Sequence, residues 1–99
     1  MTIEEMTRRL AEAGATLPGK RIKLVLGDAG AIMLDGVAGA VSNEDGAADT
    51  TLRIGWDDWI ALAKGELDGA SAYMQGRLRI EGDMANALQL QSLLSGLKN

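Results

Sequence analysis

Apolar and polar positions along this chain follow two rhythms, one helical and one alternating, and glycine or aspartate marks most of the changes between them. Ile3, Met6, Leu10 and Ala13 recur at helical spacing behind a Thr2/Glu5 capping box, so a first helix is expected, with Gly14 closing it in a left-handed conformation. Beyond the turn Leu17-Pro18-Gly19 the period drops to two. Ile22, Leu24 and Leu26 alternate with Arg21, Lys23 and Val25, predicting a strand with one buried face. The short connection Gly27 to Gly30 predicts that Ala31 to Asp35 pairs back antiparallel with Ile32 and Leu34 inward, and a third strand is expected through Val41. Ser42 to Ala47 reads as a polar loop within the domain.

The second half repeats the strand signal twice. Thr50 to Ile54 places Leu52 and Ile54 opposite Thr51 and Arg53, and Arg77 to Glu81 places Leu78 and Ile80 opposite Arg77 and Arg79. Their separation is too long for a hairpin and reads as helical, which predicts a crossover returning the chain in parallel. Gly55 opens the first connecting helix, with Asp57 and Asp58 complementing its dipole, Trp56, Trp59, Ile60 and Ala63 on one face, and Gly65 at its end. Ala70 to Gln75 forms a second short helix, closed by Gly76. Gly82 breaks the chain and Asp83 caps a final helix whose Ala87, Leu90, Leu94 and Leu97 line one side, widened by Leu88 and Leu93. The product is an α+β domain with helices over one face of a five-stranded mixed, mainly antiparallel sheet.

Composition narrows the chemistry. Ninety-nine residues make a single domain, residues 1–99, with an N-terminal helix over 1–14 and sheet and helices over 20–97. The chain has no Cys and no His, which removes disulfides, thiolate chemistry and the commonest general base and metal ligand. A net charge of -4 argues against a nucleic-acid partner. No apolar run approaches membrane-span length and no leader-like stretch precedes Met6, so a cytoplasmic domain is expected. Asn43-Glu44-Asp45 lacks the ligand spacing of a calcium loop, and the G-x-x-G runs at Gly27 and Gly36 carry no Lys or Arg. Asp57 and Asp58 are adjacent on a helix and do not face each other as a catalytic pair would. No catalytic residues, metal or cofactor are expected.

Gly65-Glu66-Leu67-Asp68, then Ala72-Tyr73-Met74-Gln75-Gly76, then Leu78-Arg79-Ile80-Glu81-Gly82-Asp83-Met84 resembles, in order, the motifs of the sterol carrier protein type 2 family, the non-specific lipid-transfer domain. The resemblance runs from about Ile22 to Leu94 and is most specific from Gly65 to Met84. Tyr73 stands where that family usually has phenylalanine, Gly69 where proline is frequent, and Trp56 where a polar residue is usual. The resemblance implies a tunnel between sheet and helices that holds a lipid. With no Phe and three aromatics in all, the inward positions are mostly aliphatic or Met, which suits an adaptable apolar pocket and equally an ordinary core.

These readings lead to an intracellular lipid carrier without catalysis, binding an acyl, isoprenoid or sterol-like ligand. The candidate lining is Leu24, Leu26, Ile32, Leu34, Leu52, Ile54, Trp59, Met74, Leu78, Ile80, Met84, Leu90 and Leu94, with Gln89 and Gln91 as polar contacts. The expected partners are a lipid or fatty-acyl ligand and a transiently contacted membrane, with the protein a monomer or homodimer. Arg21, Lys23, Arg53, Arg77 and Arg79 fall on the outward sheet face, where they form either a solvated surface or a docking face for anionic headgroups. The alternative is a non-catalytic interaction or dimeric accessory module anchored by an exposed Trp56.

Overall fold

A computed structural model describes the backbone over residues 1–96 and the side chains over 1–93. Helix α1 (Ile3–Glu12) leads into strands β1 (Arg21–Val25), β2 (Ala31–Asp35) and β3 (Ala40–Ser42), with a 3-10 turn at Gly27–Ala29 between the first two. Strand β4 (Thr50–Ile54) is followed by α2 (Trp56–Lys64), α3 (Gly69–Met74), β5 (Leu78–Gly82) and α4 (Met84–Gly96). The strands form one sheet in the order β3-β2-β1-β4-β5. Ile22, Leu24, Ile32, Leu34, Leu52, Ile54 and Leu78 point from it into a single core with Met6 and Leu10 of α1, Trp59 of α2, Ala72 of α3, and Ala87 and Leu90 of α4. All four helices therefore contribute to roofing the same face.

Local chemistry sets the helix ends. The Glu5 amide donates to Thr2 Oγ1 at 3.2 Å and the Thr2 amide to Glu5 Oε1 at 3.3 Å, completing the capping box of α1. Asp68 caps α3 by accepting from the Ser71 amide at 3.1 Å, and Asp83 caps α4 by accepting from the Ala85 amide at 2.9 Å. Gly82 ends β5 just before α4 with φ +93, and a β-carbon there would run into the Asp49 carbonyl, so both backbone shape and space favour glycine. On α2, Trp59 is buried, whereas Ala63, expected on the inner face, is exposed and Leu62 packs against the core instead.

The connection from β4 to β5 departs from the sequence reading. The two strands are antiparallel, with Ile54 opposite Leu78 and Thr50 opposite Gly82. β5 thus begins at the end of the sheet where β4 finishes, because two successive helices carry the chain away and bring it back. The parallel pair is β1–β4, with Leu24 opposite Leu52. β1–β2 and β2–β3 are antiparallel. β5 also starts one residue later than expected, at Leu78.

The segment between β3 and β4 runs across the outward face, where Lys23 Nζ donates to Asp45 Oδ1 at 2.9 Å and to the Gly46 carbonyl at 3.0 Å. Met33, paired with Lys23 in the register, is 2% exposed although it lies opposite the main core. The cations of this face are largely balanced: Arg21 pairs with Asp35 at 3.3 Å, Lys23 with Asp45, and Arg53 with Glu81 at 3.1 Å. Arg77 precedes β5 and approaches Asp58 of α2 at 3.9 Å. Arg79 has no ion pair among the described residues.

Candidate functional site

Under α4 the core is not filled. Leu52 and Ile54 of β4 with Leu78 and Ile80 of β5 form the floor of a cavity of about 150 Å³. Trp59 and Leu62 of α2 form one wall, and Ala87, Leu88, Leu90 and Gln91 of α4 another. The link from α2 to α3 closes the end with Gly65, Leu67, Asp68 and Gly69. Leu90 is fully buried whereas Leu88 is 58% exposed, so the apolar lining continues to the surface beside Leu88. α4 carries no charged side chain over its whole length.

Three residues with polar groups are among the lining. The Asp68 carboxylate is engaged as the α3 cap, accepting from the amide and hydroxyl of Ser71. The Gln91 amide lies against Gly69, whose missing side chain makes room for it. Trp59 is 1% exposed and its Nε1–H has no hydrogen-bond partner among the described residues. Leaving a buried donor unpaired costs about 1–3 kcal/mol.

The base of α4 is fixed by a buried polar chain. Asn86 is 3% exposed and donates from Nδ2 to Thr50 Oγ1 at 3.1 Å, and the Thr50 hydroxyl donates to the Asp83 carbonyl at 2.8 Å. This ties the first turn of α4 to β4. The Leu88–Gln91 wall lies about half a turn to one and a half turns beyond Asn86.

Of the residues expected to line a tunnel, Leu52, Ile54, Trp59, Leu78, Ile80 and Leu90 border the cavity. Leu24, Leu26, Ile32 and Leu34 do not; they are fully buried on β1, β2 and the turn after β1. In that half of the sheet α1 sits close, with Thr7 Oγ1 accepting from Asn43 Nδ2 at 2.9 Å, and these residues belong to the buried core. Met74, the last residue of α3, is 85% exposed, and Met84, the first of α4, is also exposed; neither borders the cavity. Leu94 lies outside the described side chains. Gln91 borders the cavity and exposed Gln89 does not. The sequence reading missed Leu62, Leu67, Ala87 and Leu88 as lining and Gly65, Asp68 and Gly69 as the closed end. Leu62 was legible as the residue three beyond Trp59, on the same face of α2.

A shallow groove at the other end of α2 is bordered by Gly27–Ala29, Gly55, Trp56, Asp57 and Asp58. Trp56 is half-buried and packs against the main core, which removes the exposed aromatic anchor expected for an interaction module. Among the described residues, no three His, Cys, Asp or Glu side chains converge in a way that would hold a metal ion, and no helix is long and apolar enough to cross a membrane. Three carboxylates are held below their ordinary range. Asp35 accepts from the Ala38 and Val37 amides beside Arg21, Asp45 meets Lys23, and Glu5 accepts from Thr2.

A five-stranded mixed sheet roofed on one face by helices, with a small apolar hollow between the layers under α4, defines a small α+β domain. The chain matches the SCP-2 sterol transfer family over residues 3–95 and belongs to that family. It is 39% identical over 59 residues to sterol carrier protein 2 of Oryctolagus cuniculus, a match covering 60% of this chain and 11% of the rabbit protein. The chain therefore aligns with only a small part of that longer relative. Its fold is similar to the solution structure of sterol carrier protein-2 from Aedes aegypti in complex with palmitate, with a TM-score of 0.77 and 18% identity over 93% of each chain. It is also similar to part of the sec-alkylsulfatase Pisa1 from Pseudomonas sp., with a TM-score of 0.72 and 20% identity over 94% of this chain and 16% of the sulfatase.

Proposed function

We propose that this domain binds an apolar lipid in the cavity between β4, β5, α2 and α4 and carries it, performing no chemical step itself. The observation that carries the reading is the cavity: its walls are mostly Leu, Ile, Trp and Ala, and its lining reaches the surface at Leu88. Family membership and the palmitate complex of the Aedes aegypti relative support the same ligand class. The non-catalytic part rests on the bordering chemistry, since Asp68 is the ionisable group there and its carboxylate is engaged as a helix cap.

Ligand pockets usually measure about 300–1,000 Å³, so a long chain enters only as the α4 wall moves outward. The polar anchor at Asn86 leaves the Leu88–Gln91 stretch as the part that moves. Membrane contact during loading belongs to this reading. Uncharged α4, with Leu88 exposed beside the opening and Met84 exposed at the helix start, suits that contact better than the ion-paired sheet face. A cytoplasmic location is the remaining part of the proposal.

The test is native mass spectrometry of protein purified from cells, followed by thermal melting of the delipidated chain with fatty acids, acyl-CoA, phospholipids and sterols. A copurified lipid and a concentration-dependent rise in Tm with at least one class are expected. No copurified lipid and no shift with any class would remove the carrier reading.

A further inference from the structure

The solvent side of α4 differs from that of the other long helices. α1 shows Glu4, Glu5, Arg8, Arg9 and Glu12 to water, and α2 shows Asp57 and Lys64. On α4 the exposed side chains, among those described, are Met84, Ala85, Leu88, Gln89 and Ser92, with no charge among them. At 3.6 residues per turn these five fall on a single arc of roughly 140°, opposite buried Asn86 and Leu90. Leu88 belongs to both sides, since it is 58% exposed and also borders the cavity. The apolar lining therefore runs out onto a neutral helix face. The charge near it is acidic: Asp83 immediately precedes the helix and exposed Asp68 is in the cavity lining. Arg53 and Arg79 alternate with inward Leu52, Ile54 and Leu78, and so lie on the far face of the sheet.

We propose that this face of α4 seats the domain on a lipid bilayer of net-neutral headgroups, with the opening at Leu88 turned toward the bilayer. The inference rests on the lipid-carrier reading above and names the surface that supplies and receives the cargo. A long acyl chain is held in a bilayer far more firmly than in water, so it passes to the cavity most readily when the opening lies against lipid. Neutral headgroups fit because a chain of net charge -4, with acids rather than cations near α4, gains nothing there from an anionic surface. A second copy of the chain is a poorer occupant. A helix of 13 residues presents about 20 Å by 10 Å, roughly 200 Å², whereas a stable interface takes about 800 Å² from each partner.

The experiment loads the full chain with anthroyloxy-labelled stearate and follows transfer to vesicles of phosphatidylcholine, alone or mixed with phosphatidylserine. The rate is expected to rise with vesicle concentration, as transfer by collision requires. It should be at least as fast with phosphatidylcholine alone, and there change less than about twofold with salt. Met84→Lys/Gln89→Lys alters two exposed positions outside the cavity lining, so affinity for the stearate should hold. Its transfer to the mixed vesicles should become about tenfold faster than to phosphatidylcholine and fall as salt rises. Met84→Glu/Gln89→Glu should show the opposite bias. A rate independent of vesicle concentration overturns the docking proposal and leaves lipid binding standing. A requirement for phosphatidylserine in the unsubstituted chain also overturns it. So do variants that keep the unsubstituted rates on both kinds of vesicle, or a solution dimer that the substitutions dissociate. If the stearate does not bind at all, the carrier reading fails and this inference with it. The measurements on the unsubstituted chain decide the matter even if neither variant folds.

Discussion

The side chain of Gln91 lies directly on Gly69, so close that a β-carbon at position 69 would sit 2.7 Å from Gln91 Cδ. The contact joins α4 to the start of α3 and brings a polar amide to the cavity. Gly69→Ala is therefore expected to swing the flexible end of Gln91 aside rather than disturb the backbone. Stability should change by less than about 1 kcal/mol, because the improved helix propensity offsets the lost contact. Release of a fluorescent acyl ligand should accelerate several-fold, read as a dissociation rate beside Tm. An unchanged rate would mean that Gln91 does not hold the cavity closed.

Leu88 and Leu90 border the same cavity from opposite exposures, and their alanine variants should separate binding from folding. Leu90→Ala removes a fully buried side chain and is expected to cost about 2–5 kcal/mol. Leu88→Ala, at a side chain 58% exposed, should cost less than about 1 kcal/mol yet weaken lipid binding. Chemical denaturation and ligand titration of both variants check this. Equal loss of stability in the two would show that Leu88 acts as core.

The Thr50–Asn86 hydrogen bond is expected to behave as a coupled buried pair. Thr50→Val leaves Asn86 Nδ2 without its acceptor and should cost about 1–3 kcal/mol. Combining it with Asn86→Leu should cost less than the sum of the two single changes, giving a coupling of at least about 0.5 kcal/mol in a double-mutant cycle. Strict additivity would remove this pair as the anchor of α4.

Stability should fall on the acid side. Asp35, Asp45 and Glu5 have depressed folded-state pKa values, so the unfolded chain binds protons first as pH falls. Their contribution is complete above the unfolded carboxylate values of about 3.9–4.3 and disappears as pH drops through the lower folded values. With no His in the chain, Tm should stay nearly flat from about pH 6 to 8 and decline below about pH 4. Asp35→Asn should make that decline shallower. An identical acid limb in the variant would show that Asp35 contributes little to it.

Residues whose environment is set by near neighbours in the chain were legible in the sequence. Leu52 and Ile54 identified β4 to the residue, and Thr2/Glu5 and Asp83 identified two helix starts. The direction of β5 was not legible, because chain length and helical pattern do not distinguish one crossing of the sheet from an excursion and return. Nor was the extent of the cavity. Ile32 and Leu52 have the same side-chain character in the same alternating pattern, yet one is fully buried in the half contacted by α1 and the other borders the space under α4. That difference depends on how closely each helix sits, which no residue type encodes. The unpaired Trp59 donor was hidden for the same reason.

The order β3-β2-β1-β4-β5 leaves two strands with an open side, and both are poor templates for another chain. β3 has only three residues, while β5 carries exposed Arg79 and Glu81. Short or charged edges discourage strand addition between molecules. Under the proposed carrier reading this has a consequence, because a molecule partly opened at Leu88 exposes its greasy interior without also offering a ladder on which neighbours can build. Protection against strand-to-strand pairing is thus written into the rim of the sheet, away from the hollow under α4.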